Sequence, residues 1–271
     1  MNVIQFINAI SVTSHVRDWL TSSQHPRILH IFDNACNLIN ERREVLSIVT
    51  PPIGNGPFNL VVKDMVCFSE HVDLHSSIAI VELNLVLGDL TIYAADAKLW
   101  NPRPDWERLH EQLNHIRNQA AQLPITNYKF ANSLSSSLAV ADLPSSLTTA
   151  QQLAGLGVGL TPSGDDFLMG AIHATWIMHP PEVASALTQA IADIAAPLTT
   201  SLSAAWLRSA GRGEAGVLWH QFFEVLAGRI VNPTCLQEAV DKILSVGETS
   251  GADALAGFGS TLRSILPQRN L

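Results

Sequence analysis

The spacing of apolar residues changes near residue 104, and this change limits the folds that the chain can adopt. Before Pro104, short segments rich in β-branched residues alternate with turn residues, such as those at 51–57. Alternation with a period of two is typical of strands in an antiparallel sheet or a small barrel. We predict strands at residues 27–32, 44–50, 58–63, 77–83 and 89–95.

After Pro104 the apolar residues recur with the period of an α-helix. The first helix is predicted over residues 105–123, with Asp105 as its N-cap. Two later helices are predicted to begin at Pro181 and Pro233. Proline is tolerated in the first turn of a helix, because the N–H group that it lacks would have no partner there. The other helices are predicted at residues 143–154, 164–178, 181–195, 198–210, 215–228, 233–246 and 252–266.

Together the two patterns predict an α+β fold. Residues 1–103 form an antiparallel β-rich region, either a sheet or a small barrel, and residues 104–271 form an all-helical region. Apolar residues make up 47% of the chain and charged residues 15%, whereas about 25% of the residues in a typical soluble domain are charged. Such a chain has enough apolar surface to form a core, which excludes intrinsic disorder.

Charge and cysteine content exclude several classes of function. The formal net charge is −8 and only four lysines occur, so we expect no nucleic-acid partner. The longest apolar helical run, at residues 167–178, is shorter than the roughly 20 residues that cross a bilayer, so we expect no membrane span. Cys36, Cys67 and Cys235 form no C-x-x-C pair, and the N-terminus lacks the basic start of a signal peptide. We therefore expect a soluble, cytoplasmic protein.

A glycine-rich loop carries the most specific chemical pattern. Residues 155–166 read G-L-G-V-G-L-T-P-S-G-D-D and run directly into an apolar helix. The N-terminus of a helix presents unpaired N–H groups and the positive end of the helix dipole, so it suits a phosphate or a carboxylate. The residues predicted to bind a small anionic substrate here are Gly157, Gly159, Thr161, Ser163, Gly164 and Asp165. The hydroxyl of Thr161 or Ser163 is also placed to cap the helix.

Three familiar motifs do not fit this loop. A P-loop requires Gly-Lys-Ser/Thr after its glycines, and no lysine is near. A dinucleotide fingerprint requires a sixth-position glycine, where Leu160 stands. A nucleophile elbow requires glycines two residues either side of Ser163, where Thr161 and Asp165 stand.

Asp165 and Asp166 are neighbours, so on a helix they point about 100° apart and cannot both face one small ligand. One interpretation is that they only complement the positive end of the helix. The other is that Asp166 faces the site as a hydrogen-bond acceptor or a Mg²⁺ ligand, while Asp165 stabilises the turn.

A second segment repeats the first. Residues 163–170 and 250–257 share the pattern S-G-x-D-x-L-x-G, and both lie where a loop enters a helix. Each places a glycine, Gly170 or Gly257, four residues after an aspartate, where a second helix can approach closely. We predict that the two helix N-termini converge on one anionic ligand. The second segment contributes the predicted binding residues Thr249, Ser250 and Gly251, and also Asp253.

Other candidates are weaker. His71, Asp73 and His75 would share one face of a strand and hold a metal, but a polar loop is the favoured interpretation. Residues 54–57 look like a hairpin turn, and a role in lining a pocket is the open alternative. His173 lies among apolar neighbours, so we expect a core residue whose polar atoms are satisfied. Arg212 is the candidate for a charged anion contact, although a surface arginine at a helix end is an open alternative. The stripe expected in the core is Trp206, Trp219, Phe222 and Phe223.

The string G-L-G-V-G-L-T-P-S-G-D-D-F-L-M-G resembles the signature of the AllH-like family. The resemblance extends to G-N-G-P-F-N at 54–59, W-N-P at 100–102 and G-E-T-S-G-A-D-A-L-A-G at 247–257. Val158 departs from the family pattern, which usually has proline there. This family is associated with a subunit of oxamate carbamoyltransferase in anaerobic allantoin breakdown.

The resemblance implies transfer of a carbamoyl group between carbamoyl phosphate and an oxamate-like amide-acid, in a complex with two partner subunits. Asp166 or Asp253 would then act as the catalytic residue that orients the amide nitrogen or accepts its proton. The N–H groups of Gly164 and Gly251, with the hydroxyls of Thr161, Ser163 and Ser250, would stabilise the negative oxygen. No cofactor is predicted.

Two alternatives stay open from the sequence. In the first alternative to carbamoyl transfer, the chain is a non-catalytic, anion-binding assembly subunit of a multi-subunit enzyme. In the second, it is a Mg²⁺-dependent phosphoryl-transfer enzyme that uses Asp165 and Asp166.

Overall fold

The computed structural model describes residues 5–121, 123, 131–228 and 233–264. The chain divides into two compact units, of which the first ends at Pro102 and the second begins at Arg103. The strands lie between residues 5 and 99, and the helices of the second unit lie between residues 106 and 263. The predicted α+β class is therefore confirmed.

The first unit is a nearly closed, barrel-like sheet. The strands are β1 (Gln5–Val12), β2 (Arg27–Ile31), β3 (Ala35–Ile39), β4 (Val45–Val49), β5 (Asn59–Val62), β6 (Ile78–Val81), β7 (Asn84–Leu87), β8 (Leu90–Tyr93) and β9 (Lys98–Leu99). Their order in the sheet is β2-β3-β4-β5-β1-β8-β7-β6, and β9 pairs with β1. All five strands predicted from the sequence are present, at β2, β4, β5, β6 and β8.

Most pairings in this sheet are antiparallel, but β1 runs parallel to β8 and β9, and β4 runs parallel to β5. The segment at 54–57 therefore connects two parallel strands, and the hairpin predicted there is wrong. Gly54 has a φ of 74°, and its carbonyl accepts a hydrogen bond from Asn59 Nδ2 at 2.9 Å. This bond ties the connection to the start of β5.

Two short helices accompany the sheet: α1 (Ser14–Ser22) and α2 (Phe68–His71). Thr13 caps α1 by accepting a hydrogen bond from Val16 N at 3.2 Å. Trp19 of α1 is buried in the core of this unit, and its Nε1 donates to Glu44 O at 3.0 Å. The helix thus covers one end of the apolar interior with a satisfied aromatic ring.

The second unit is helical. Its helices are α3 (Trp106–Glu111), α4 (Leu113–Ala120), α5 (Ala131–Ala139), α6 (Leu143–Leu153), α7 (Ser163–Met178), α8 (Pro181–Ala195), α9 (Ser201–Gly211), α10 (Val217–Leu226), α11 (Pro233–Leu244) and α12 (Ser250–Arg263). A short 3₁₀ helix, Ala196–Leu198, precedes α9. Asp105 caps α3 as predicted, by accepting from Arg108 N at 3.1 Å. Helices also begin at Pro181 and Pro233 as predicted.

Helix α5 was not predicted, several other predicted boundaries differ by one or two residues, and the larger differences lie in three places. The segment at 105–123 is two helices separated at Gln112, and its residue 122 lies outside the described residues. The helix predicted at 198–210 begins at Ser201, after the 3₁₀ turn. The helix predicted to reach 266 ends at Arg263, and residues 265 and 266 lie outside the described residues.

Helix α7 lies at the centre of the second unit, since nearly all of its residues are buried. A helix that is buried on every face requires neighbours on every face. Its main neighbour is α12. A Cβ atom on Gly170 would lie 1.8 Å from Ala254 O, and one on Gly257 would lie 2.0 Å from Phe167 O. The two helices therefore touch backbone to backbone, as the paired glycines predicted.

We predict that Gly257→Ala lowers the free energy of unfolding by about 3 kcal/mol or more, because the new methyl group must displace a backbone carbonyl. Urea unfolding followed by far-UV circular dichroism measures the change. Gly259→Ala in the same helix is the comparison, since the nearest atom to its new methyl group would be Arg263 Nη2 at 3.0 Å, which belongs to a side chain and not to the backbone. Its loss should be clearly smaller than that of Gly257→Ala, because a side chain and not a backbone carbonyl must shift, and because alanine favours the helix. Equal losses in the two variants would contradict the close helix contact.

Candidate active site at two helix N-termini

The repeated sequence pattern corresponds to a repeated structure. A Cβ atom on Gly164 would lie 2.1 Å from Leu153 O in α6, and one on Gly251 would lie 1.8 Å from Ile243 O in α11. Each of these glycines lets the preceding helix approach the first turn of the next one. The contacts of Gly170 and Gly257 described above are likewise reciprocal. Equivalent positions of the two repeats therefore contact each other reciprocally. The helix pair α6–α7 is related to the pair α11–α12 by an approximate two-fold axis, as in an interface between identical surfaces.

The first turns of α7 and α12 meet. Thr161 Oγ1 and Ser250 Oγ lie 2.8 Å apart and share a hydrogen bond. Pro162 is the N-cap of α7 and Thr249 is the N-cap of α12, and neither makes a side-chain capping bond. Thr161 therefore bridges to the second helix instead of capping its own, and Ser163 does not cap it either.

Asp166 is the carboxylate that faces this junction. It is 6% exposed, and its Oδ2 has no hydrogen-bond partner among the described residues. Burial raises the pKa of Asp166 to about 7, although the hydroxyls of Ser250 and Thr161 favour its charged form. The charges of Asp253 and Asp165 raise the pKa further. A carboxyl group with a pKa near neutral pH in such a junction is a candidate acid or base.

Asp253 occupies the equivalent position on α12. It is also 6% exposed, and its charge acts on Asp166. The structure thus brings the two predicted catalytic residues together at the junction.

Asp165 has a different environment. Its Oδ1 accepts from Gly155 N at 2.8 Å, and its Oδ2 accepts from Ser203 Oγ at 2.7 Å and from Thr199 Oγ1. These bonds fix the start of the glycine-rich loop against the first turn of α9. Asp165 therefore stabilises the turn, and both of its oxygens are already bonded. Thr199 and Ser203 were not predicted, since nothing in the sequence connects them with residue 165.

The glycine-rich loop needs its glycines. The φ angles of Gly155, Gly157 and Gly159 are 71°, 123° and 95°, values that side chains disfavour. Val158, at the tip of the loop, is 93% exposed. Gly157 and Gly159 thus shape the loop, and their predicted contact with a substrate stays a prediction.

Two predicted hydrogen-bond donors are already occupied. Gly164 N donates to Leu156 O at 2.8 Å, and Gly251 N donates to Val246 O at 3.1 Å. In this structure these two N–H groups hold the loops that precede α7 and α12. The hydroxyls of Thr161 and Ser250 are the predicted donors that lie beside Asp166.

Arg212 does not join this cluster. It lies at the C-terminal end of α9, about 14 Å along the helix from Ser203, which contacts Asp165. Its guanidinium donates to Glu214 Oε2 at 2.7 Å and to Ser209 Oγ at 3.1 Å.

The remaining candidates are structural. His71 ends α2, and its Nδ1 lies 3.0 Å from Asp89 Oδ1, while Asp73 accepts from His75 N at 2.7 Å. The segment is not extended, and the described residues contain no group of three side chains placed to hold a metal.

His173 is a core residue as predicted. It is stacked on Trp106, which lies 6.1 Å away, and it contacts Trp219 and Phe223 edge-on. Burial lowers its pKa to about 3, so the ring is neutral. Its Nδ1 has no hydrogen-bond partner among the described residues, so its polar atoms are not all satisfied.

The predicted aromatic stripe is largely in the core. Trp219, Phe222 and Phe223 are buried, and Trp206 is half-buried.

A family model described as oxamate carbamoyltransferase subunit AllH matches residues 153–262. A second model, described as the AllH family N-terminal domain, matches residues 8–99. The chain belongs to the AllH family. The first match includes the whole glycine-rich loop, α7, and α12 except for its last residue.

No solved structure matches this member of the AllH family. Within the described ranges, no helix has both the length and the apolar character needed to span a membrane.

We predict that Asp166→Asn stabilises the chain at alkaline pH. The raised pKa means that the folded chain binds a proton which the unfolded chain releases near pH 4. The stability that this proton contributes is present at low pH and is lost as pH rises through about 7. Asparagine stays neutral at every pH. The free energy of unfolding of Asp166→Asn, relative to that of the wild-type chain, should therefore increase between pH 5 and pH 8 by on the order of 3 kcal/mol.

Urea unfolding at several pH values measures this difference. Asp193→Asn, at an exposed position on α8, is the matched control and should show no such pH dependence. A pH-independent difference for Asp166→Asn would show that residue 166 does not titrate near neutral pH.

Proposed function

We propose that this chain is a substrate-binding and catalytic subunit of a carbamoyltransferase that acts on oxamate or a similar amide-acid. The observation that carries the proposal is the buried Asp166 at the junction of α7 and α12, within the part of the chain that matches the oxamate carbamoyltransferase subunit. The family name supports partner subunits, and the nature of those partners is part of the proposal.

Carbamoyl transfer needs a base and a set of donors. The amide nitrogen of the acceptor attacks the carbamoyl carbon of carbamoyl phosphate, and a C–N bond forms. The C–O bond to phosphate then breaks, phosphate leaves, and the nitrogen loses a proton. Asp166 is suited to accept that proton, because a base works best when its pKa lies near the working pH.

The developing negative charge on the carbamoyl oxygen needs preorganised donors. The hydroxyls of Thr161 and Ser250 are adjacent to Asp166 and belong to opposite helices. Because Gly164 N–H and Gly251 N–H are engaged within the protein, we assign this role first to the hydroxyls. The uncapped first turns of α7 and α12 add the positive ends of two helix dipoles.

The Mg²⁺-dependent alternative has less support. It uses Asp165 and Asp166 as neighbouring ligands, but the carboxylate oxygens of Asp165 already accept hydrogen bonds from Gly155, Thr199 and Ser203. The assembly-subunit alternative makes a distinct prediction, since it requires no effect of Asp166 on the rate.

We expect Asp166→Asn to lower kcat at least 100-fold, since general-base catalysis contributes on the order of 10²–10⁴ in rate. The chain is purified together with the proteins encoded beside it, and phosphate release from carbamoyl phosphate is measured with oxamate as the acceptor. Wild-type kcat/KM should rise with pH through about 7, as Asp166 loses its proton.

Asp193→Asn should leave kcat unchanged. Full activity of Asp166→Asn would reject the catalytic role and favour an assembly subunit. Activity that disappears when Mg²⁺ is removed, with phosphate transferred to the acceptor, would favour the phosphoryl-transfer alternative.

A further inference from the structure

The α7–α12 junction contains a buried hydrogen-bond acceptor that lacks a donor. Asp166 Oδ2 is buried and has no partner among the described residues. The N–H groups of Gly164 and Gly251 already donate to Leu156 O and Val246 O. A buried acceptor without a donor is unfavourable. The group that best completes this junction is therefore a hydrogen-bond donor.

The charges agree with this conclusion. The charged groups that act on Asp166 are the carboxylates of Asp253 and Asp165. Arg212, the candidate cation from the sequence, lies at the far end of α9 and pairs with Glu214. An anionic group placed between Asp166 and Asp253 would meet charges of its own sign. A neutral donor would not.

We propose that Asp166 and Asp253 bind the NH₂ group of a primary amide or carbamoyl substrate, so that the anionic group of the substrate points away from the α7–α12 junction. This inference rests on the proposed function and specifies which end of the substrate the two helices hold. It replaces the anion predicted between the helix N-termini with the uncharged end of the same molecule.

The symmetry of the junction suits this ligand. A primary amide carries two N–H donors and one carbonyl acceptor. Asp166 and Asp253 offer one carboxylate from each helix, at equivalent positions of the repeat. Thr161 and Ser250 likewise offer one hydroxyl from each side of the junction. The two carboxylates accept the two N–H groups, and the hydroxyls donate to the carbonyl oxygen.

Substrate entry requires the junction to open. Asp166 Oδ2 has no contact with solvent, and the Thr161–Ser250 hydrogen bond closes the gap between the first turns of the two helices. When a substrate enters, both hydroxyls turn from each other toward the substrate carbonyl. Binding therefore exchanges one hydrogen bond within the protein for several to the ligand.

Oxamate and oxalate test the orientation directly. The two molecules share one carboxylate and differ at the other end, which is a primary amide in oxamate and a second carboxylate in oxalate. Isothermal titration calorimetry at pH 8, in EDTA so that no metal bridges the ligand, measures both affinities for the chain purified with its partners. We expect oxamate to bind at least 10-fold more tightly than oxalate.

Asp166→Asn should reduce this preference at least 10-fold, because the asparagine amide both removes a charge and supplies donors to oxalate. Asp253→Asn, also nearly isosteric, should act in the same direction, and Asp193→Asn should keep the wild-type preference. Oxalate that binds as tightly as oxamate would overturn the orientation, as would a preference that survives both substitutions.

The binding experiment separates the two proposals. Carbamoyl transfer to oxamate, together with equal binding of oxalate, would reject the orientation and keep the proposed function. If wild-type chain binds neither ligand, the orientation is rejected, and the rate assay with carbamoyl phosphate then decides the proposed function by itself.

Discussion

The backbone contact between α7 and α12 determines the geometry of the candidate site. Gly170 packs against the carbonyl of Ala254, and Gly257 packs against the carbonyl of Phe167. Larger side chains at either glycine would push the helices apart and separate their first turns. Because the glycines lie four residues beyond Asp166 and Asp253, the same contact that packs the core also brings the two carboxylates near each other.

The neighbouring residues Asp165 and Asp166 lie in the same helical turn but differ in their environments and roles. Asp165 points toward the glycine-rich loop and α9, where three donors satisfy it. Asp166 points toward α12, where burial and Asp253 disfavour its charge. The first aspartate stabilises the folded chain, and the second destabilises it at neutral pH. Active sites often contain such locally unfavourable groups, which the surrounding core must hold in place.

Sequence periodicity predicted the fold class and five strands, because buried β-branched segments and amphipathic helices leave clear patterns. It does not predict β1, in which the exposed Asn8 lies between the buried Ile7 and Ala9. The S-G-x-D repeat correctly indicated two helices that approach at glycines. Sequence could not show that Gly164 N–H and Gly251 N–H bond within the protein, or that Arg212 lies at the far end of α9, because both depend on tertiary packing.

The close pairing of α7 with α12 also sets an order of folding. About 70 residues separate the end of α7 from the start of α12 along the chain, and contacts between such distant segments form late because the intervening loop must first close. During synthesis, α7 is complete long before its main neighbour exists. The face of α7 that packs against α12, including Asp166, then has no partner until residues 250–263 leave the ribosome. A chain that stops before α12 would lack one half of the junction and expose the most buried helix of the unit.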